Sequence, residues 1–185
     1  MIDIVFPNKN ESEFIEMARK LGISGLIFAY KQPSEFYEGD ASNALFIEPK
    51  NIQKARNNDV LAICPASREA IERGADIVVG FELQEIKDHT HYRESGMNQV
   101  LCKLATERKV RIGFSFSTIL QIYGQKRAQL LGRIMQNITF CRKFKTPTKI
   151  ASFATSPYEM RAPAELKAFF IQLGMDENQA QQALK

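Results

Sequence analysis

The 185 residues are 44% apolar and 25% charged, ordinary proportions for a soluble globular chain that exclude disorder and allow one sizeable core or at most two small ones. The formal charge of +4 and a pI near 9.0 suit nucleic acid, phosphate or an anionic surface without choosing among them. No apolar run approaches the roughly 20 residues that cross a bilayer, so no membrane role is expected.

Met1 to Pro7 lacks the basic n-region and cleavage site of a signal peptide and reads as a first strand, Ile2 to Phe6. A Glu-rich helix capped by Asn10 or Ser12 follows and ends at Gly22. Gly25 to Tyr30 is a continuous apolar run, as in a strand buried on both faces. After a polar loop, Ala44 to Ile47 is a third strand and Pro49 opens a helix to about Asn57. Val60 to Cys64, Ile77 to Val79, Val110 to Phe114 and Ile150 to Phe153 complete seven strands. Short helices span Ala66 to Arg73 and Met97 to Glu107, and a long helical tract from about Thr118 to Lys145 is broken near Gly124. Pro163 opens a helix to Leu173, and Asp176 starts the last one. Apolar strands alternating with helices call for parallel pairing with helices outside. The expected fold is therefore α/β, a compact TIM-like (β/α) barrel of about seven parallel strands with outer helices, forming a single domain over residues 1–185. A full eight-unit barrel usually needs more residues, about 250.

Charge is distributed unevenly. Arg108 to Tyr158 carries Arg108, Lys109, Arg111, Lys126, Arg127, Arg133, Arg142, Lys143, Lys145 and Lys149 with no Asp or Glu, a net +10 against −6 for the rest of the chain. Solvated faces normally mix signs through Glu–Lys pairs four apart, so a cationic plate for a polyanion is expected here, with arginine beside lysine suiting phosphate. No GXXG loop, zinc knuckle or RNP-type aromatic strand is present, so recognition of backbone and shape is expected rather than base readout. On the long helix Arg127 falls within the apolar arc. Either it snorkels at the helix end or it reaches a ligand on the barrel rim.

Chemistry of the chain's own has weak support. Walker, GxGxxG, GxSxG and HExxH sequences are absent. His89 and His91, with Asp88, Glu82 and Glu85 near them, form a metal-like pattern, but a solvated or RNA-facing loop is the weightier reading. Cys64, Cys102 and Cys141 are odd in number and scattered, as expected of reduced core thiols in a cytosolic protein. No catalytic residue and no metal site is assigned.

Four stretches resemble archaeal ribonuclease P protein component 3, the counterpart of the eukaryotic 30-kDa subunit. They are Ala66 to Val79, the "R-x-SG-x-N" segment within His91 to Leu101, the "IGFS" strand Arg111 to Phe116, and a C-terminal signature from Ala151 to Leu166. One departure is Phe153, where the family's pattern carries glycine. The resemblance implies a TIM-like barrel similar to the metal-dependent PHP phosphoesterases, without their histidine-rich site. It implies a cytoplasmic subunit that binds ribonuclease P RNA beside protein component 2 and the other holoenzyme proteins. The RNA, using Mg²⁺ that this chain does not bind, removes the 5′ leader from precursor tRNA. From the family's motifs Arg93, Arg127, Arg133, Arg142, Lys143 and Arg161 are carried over as RNA contacts, joined by Lys126 from the basic helix. Arg68 is a weaker candidate, able simply to pair with Glu72, and Lys149 is placed at the barrel rim. The alternative is a degenerate PHP-type phosphoesterase, with metal near His89 and His91.

Overall fold

Seven short strands pair in sequence order, each parallel to the next. In the computed structural model, which describes residues 1–84, 88 and 93–185, they are β1 (Ile2–Val5), β2 (Gly25–Tyr30), β3 (Ser42–Phe46), β4 (Leu61–Pro65), β5 (Ile77–Val79), β6 (Arg111–Ser115) and β7 (Thr148–Ala151). Eight helices accompany them among the described residues: α1 (Glu11–Lys20), α2 (Ile52–Asn57), α3 (Arg68–Glu72), α4 (Gln99–Arg108), α5 (Phe116–Gln121), α6 (Gly124–Phe144), α7 (Pro163–Gln172) and α8 (Glu177–Ala183). The strands are apolar throughout because both faces are covered. Ile4, Ile27, Ala29, Ala44, Ile63, Ile77 and Ala151 fill the barrel, while the alternate residues Leu45, Cys64, Val78, Ile112, Phe114 and Ile150 pack against the helices.

The barrel closes at a seam between β7 and β1. Val5 bridges Ala154 and the Phe6 amide donates to the Ala154 carbonyl at 2.8 Å. The rest of the seam is held by side chains. The fully buried Asp3 carboxylate accepts from the Ser152 amide and hydroxyl, both at 2.7 Å, and from the Ile4 amide at 3.0 Å. Burial pushes the Asp3 carboxyl up, and these donors, with the nearby Lys149 charge, pull it back only in part.

Lys149 corrects the sequence reading. The strand begins at Thr148, two residues earlier than expected, which turns Lys149 inward instead of leaving it on the rim. It is 2% exposed and its ammonium donates to the Ile2 carbonyl at 2.9 Å. Burial, reinforced by the like charge of Arg111, brings its pKa down to about 8.

At the opposite mouth, beyond the C-terminal strand ends, Phe6, Phe46 and Phe153 meet, with Phe6 ring centroids 5.3 Å from Phe46 and 6.1 Å from Phe153. Phe153 sits at φ +49°, a left-handed conformation that glycine adopts without the steric cost a phenylalanine incurs. The backbone strain costs about 1–3 kcal/mol, and burying the ring offsets it, since truncating a core Phe costs about 3–5 kcal/mol. Phe153→Gly is therefore expected to relieve strain yet lose about 2 kcal/mol net, lowering the melting temperature by about 4–8 °C. A melt at or above wild type would show that the ring contributes nothing.

Candidate nucleic-acid interface

Because each helix runs back antiparallel to its strand, α6 starts near the C-terminal strand ends and finishes near the N-terminal ends. Its 21 residues span roughly 30 Å. The acid-free segment is thereby divided between two ends of the barrel. The single cationic plate expected from sequence is not formed.

At the C-terminal end, the described part of the β5–α4 connection lies against the first half of α6. Asp88, Arg93, Gln125, Lys126, Ala128 and Gln129 line an open cleft of about 560 Å³. Arg93 and Lys126 are exposed, and neither makes an ion pair among the described residues. The Arg93 guanidinium lies across the helix at Gly132, where an added Cβ would stand 2.5 Å from its Nε. A glycine at that point lets the side chain lie flat over α6 and present its charge to the cleft.

Among the described residues lining the cleft, the one acid, Asp88, is committed elsewhere. Asp88 accepts from Arg133 Nε at 2.9 Å and Nη2 at 2.8 Å, from Gln129 Nε2 at 2.9 Å and from the Glu94 amide at 2.9 Å. Partial burial works against ionisation, but these donors outweigh it and hold the carboxyl below its ordinary range. Arg133 also donates to the carbonyls of Gln84 at 2.8 Å and Glu82 at 3.3 Å, and is 6% exposed. Expected on the polar side of the helix as an RNA contact, it is instead a buried clamp fixing the loop to α6, because the loop packs over that side and supplies a carboxylate.

Other sequence candidates are also partnered. Arg127 turns back to cap α5, donating to the Ile122 and Leu120 carbonyls with its guanidinium 4.8 Å from the Tyr123 ring centre. Of the two readings of its place in the apolar arc, this is the local one. Arg161 donates to the Tyr158 and Met160 carbonyls at 2.9 and 2.7 Å and lies over the Phe116 ring. Arg68 pairs with Glu72 at 2.7 Å. Arg142 and Lys143 are exposed at the other end of α6, where Arg142 donates to the Gly174 carbonyl at 2.8 Å and Lys143 lies over the Phe144 ring.

Of the metal-like pattern, Glu82 is 3% exposed and bonded to Asn137, and burial pushes its carboxyl up to about 7. Asp88 belongs to the clamp, while Glu85, His89 and His91 lie outside the described residues. Among the described residues no three His, Cys, Asp or Glu side chains converge as metal ligands, and no helix is long and apolar enough to cross a membrane. All three cysteines are buried free thiols.

A family model described as RNase P subunit p30 matches residues 53–185. This chain belongs to the RNase P p30 family. Ribonuclease P protein component 3 of Methanosarcina mazei is 32% identical over 134 residues, covering 72% of this chain and 55% of that one. The Thermococcus kodakarensis protein of the same name is 28% identical over 174 residues, covering 94% and 72%. The chain thus spans about half the length of the Methanosarcina mazei and Methanosarcina acetivorans relatives. In fold it is similar to a chain of the cryo-EM structure of archaeal ribonuclease P with mature tRNA, with a TM-score of 0.77 and 22% identity over 99% of this chain and 86% of that one.

Much of the p30-family motif set turns out to be scaffold. In "R-x-SG-x-N", Gly96 has φ +78° and a Cβ there would meet the Phe81 carbonyl oxygen at 2.2 Å, while Asn98 caps α4 through the Leu101 amide. Ser115 of "IGFS" caps α5 through the Thr118 amide at 3.2 Å. Ser152 of the C-terminal signature holds the seam. At this cleft Arg93 is the motif residue whose charge remains on offer. Sequence reasoning missed Asp88 as the partner of Arg133, since a salt bridge spanning 45 positions leaves no local signal.

Proposed function

We propose that this chain is a protein subunit of ribonuclease P that binds the enzyme's RNA and supports Mg²⁺-dependent removal of the 5′ leader from precursor tRNA. Family membership points to the enzyme, and the observation that carries the role is the cleft in which Arg93 and Lys126 make no ion pair among the described residues while Asp88 is held by Arg133. Each phosphate placed there loses condensed counterions, so binding is driven by their release. Where RNA helices crowd together, such cations reduce the repulsion that opposes a compact catalytic fold. The cut and its Mg²⁺ are assigned to the RNA. Protein component 2, the other holoenzyme proteins and precursor tRNA are the partners, in the cytoplasm. The phosphoesterase alternative gains no support from a barrel mouth filled by three phenylalanines, the end at which TIM-barrel enzymes place their chemistry.

Binding of the chain to ribonuclease P RNA should weaken linearly in log K against log salt, by roughly 0.7–0.9 per phosphate neutralised. Arg93→Gln with Lys126→Gln is expected to make that slope shallower by roughly 1.4–1.8 with the fold intact. An unchanged slope would remove the cleft from the interface.

A further inference from the structure

The other end of α6 holds a second collection of cations. Arg108 and Lys109 end α4, Arg111 opens β6, and Arg142, Lys143 and Lys145 close α6. Arg111, Arg142 and Lys145 line one open cleft of about 490 Å³, together with Thr146, Asn178 and Gln182, which add neutral hydrogen-bonding groups. The one acid lining it, Asp176, is occupied as the N-cap of α8, accepting from the Gln179 amide at 2.8 Å.

Basic residues at helix C-termini have a local explanation, since each helix end carries roughly half a negative charge. Two helix ends account for about one charge, and Glu107 and Asp176 for one each, leaving a surplus of about three positive charges. The surplus sits under strain. The buried Lys149 ammonium lies just inside the barrel at this end, and the like charge of Arg111 is one of the causes lowering its pKa. An anion in the cleft would relieve that repulsion.

Distance decides how this cluster relates to the first. Lys126 and Lys145 are 19 residues apart, roughly 28 Å along the helix, more than three Debye lengths of about 8 Å at physiological salt. Charges that far apart act on different phosphates. We infer that the N-terminal end of the barrel is a second RNA-backbone site, so that one subunit ties together two separate RNA segments along the length of α6. The inference rests on the RNA-binding reading above, which the first cleft supports independently.

The test is the number of short RNA duplexes bound per chain, using one duplex shorter than the barrel is tall. Titrations would compare wild type, Arg93→Gln with Lys126→Gln, and Arg111→Gln with Lys145→Gln, each with a melting curve. Lys145→Glu, at an exposed position, replaces the second pair should that pair unfold. Two duplexes per wild-type chain, falling to one in either double variant, is the expected result. One duplex per wild-type chain, unaffected by the Arg111 and Lys145 changes, would overturn the second site. That is also the outcome if an acidic protein occupies this end. In that case, loss of the remaining duplex in the Arg93 and Lys126 variant would leave the proposed function standing, whereas no duplex bound by any form would remove both.

Discussion

Asp3→Ala is expected to destabilise the fold by about 3 kcal/mol, because it strips the Ser152 amide and hydroxyl of their acceptor at a fully buried seam. For a chain of this size that is a fall of about 6–12 °C in melting temperature. Ser152→Ala should cost less, about 1–2 kcal/mol, since its amide still reaches Asp3 Oδ1, while Asp3 Oδ2 and the Ala154 amide lose the hydroxyl they share. The comparison isolates what closes the barrel. Between β7 and β1 the backbone supplies a single bridge, at Val5 and Ala154, so the side chains must hold the remainder. A loss below about 1 kcal/mol for Asp3→Ala, measured by urea unfolding, would mean that the seam is held by apolar packing alone.

Arg133→Ala is expected to be at least as damaging, at about 3–5 kcal/mol. It abandons a partly buried Asp88 and two loop carbonyls together. Arg133→Lys separates the two roles that sequence could not. If Arg133 touched phosphate, lysine would preserve most of the charge and the salt slope, with little effect on stability. A clamp requires the planar guanidinium, which grips one carboxylate oxygen through two nitrogens while reaching carbonyls with the third. Lysine should therefore lower stability by about 2 kcal/mol and leave the salt slope unchanged. The clamp also has a pH signature. Asp88 has a depressed pKa in the folded state, so its contribution is fully present above the ordinary aspartate value near 3.9 and is lost as pH falls below it. The loss of stability on acidification from about pH 5 to about pH 3, measured by urea unfolding, should accordingly be smaller in Asp88→Asn than in wild type.

The strands were legible because a parallel barrel buries both faces of each, leaving apolar runs that are hard to mistake. Gly25–Tyr30 and Ile77–Val79 have the same bounds in sequence and structure. The least legible strand was β7, where Lys149 and Thr148 look like loop residues and only the closed barrel explains an inward ammonium. The site was harder. Composition revealed the acid-free segment, but linear charge does not show where a 21-residue helix sends its two ends. Nor does it show that Arg127 and Arg161 spend their guanidinium groups on nearby carbonyls. Arg93 and Lys126 emerged as the open pair only when Asp88 was seen to be spoken for.

The most direct measurement is to sequence the RNA that copurifies with the chain from its own cells, with and without the Arg93 and Lys126 changes. Enrichment of ribonuclease P RNA over ribosomal and messenger background, lost in the variant, is the expected result. A variant that recovers that RNA as well as wild type, or a wild type that enriches none, would contradict the account.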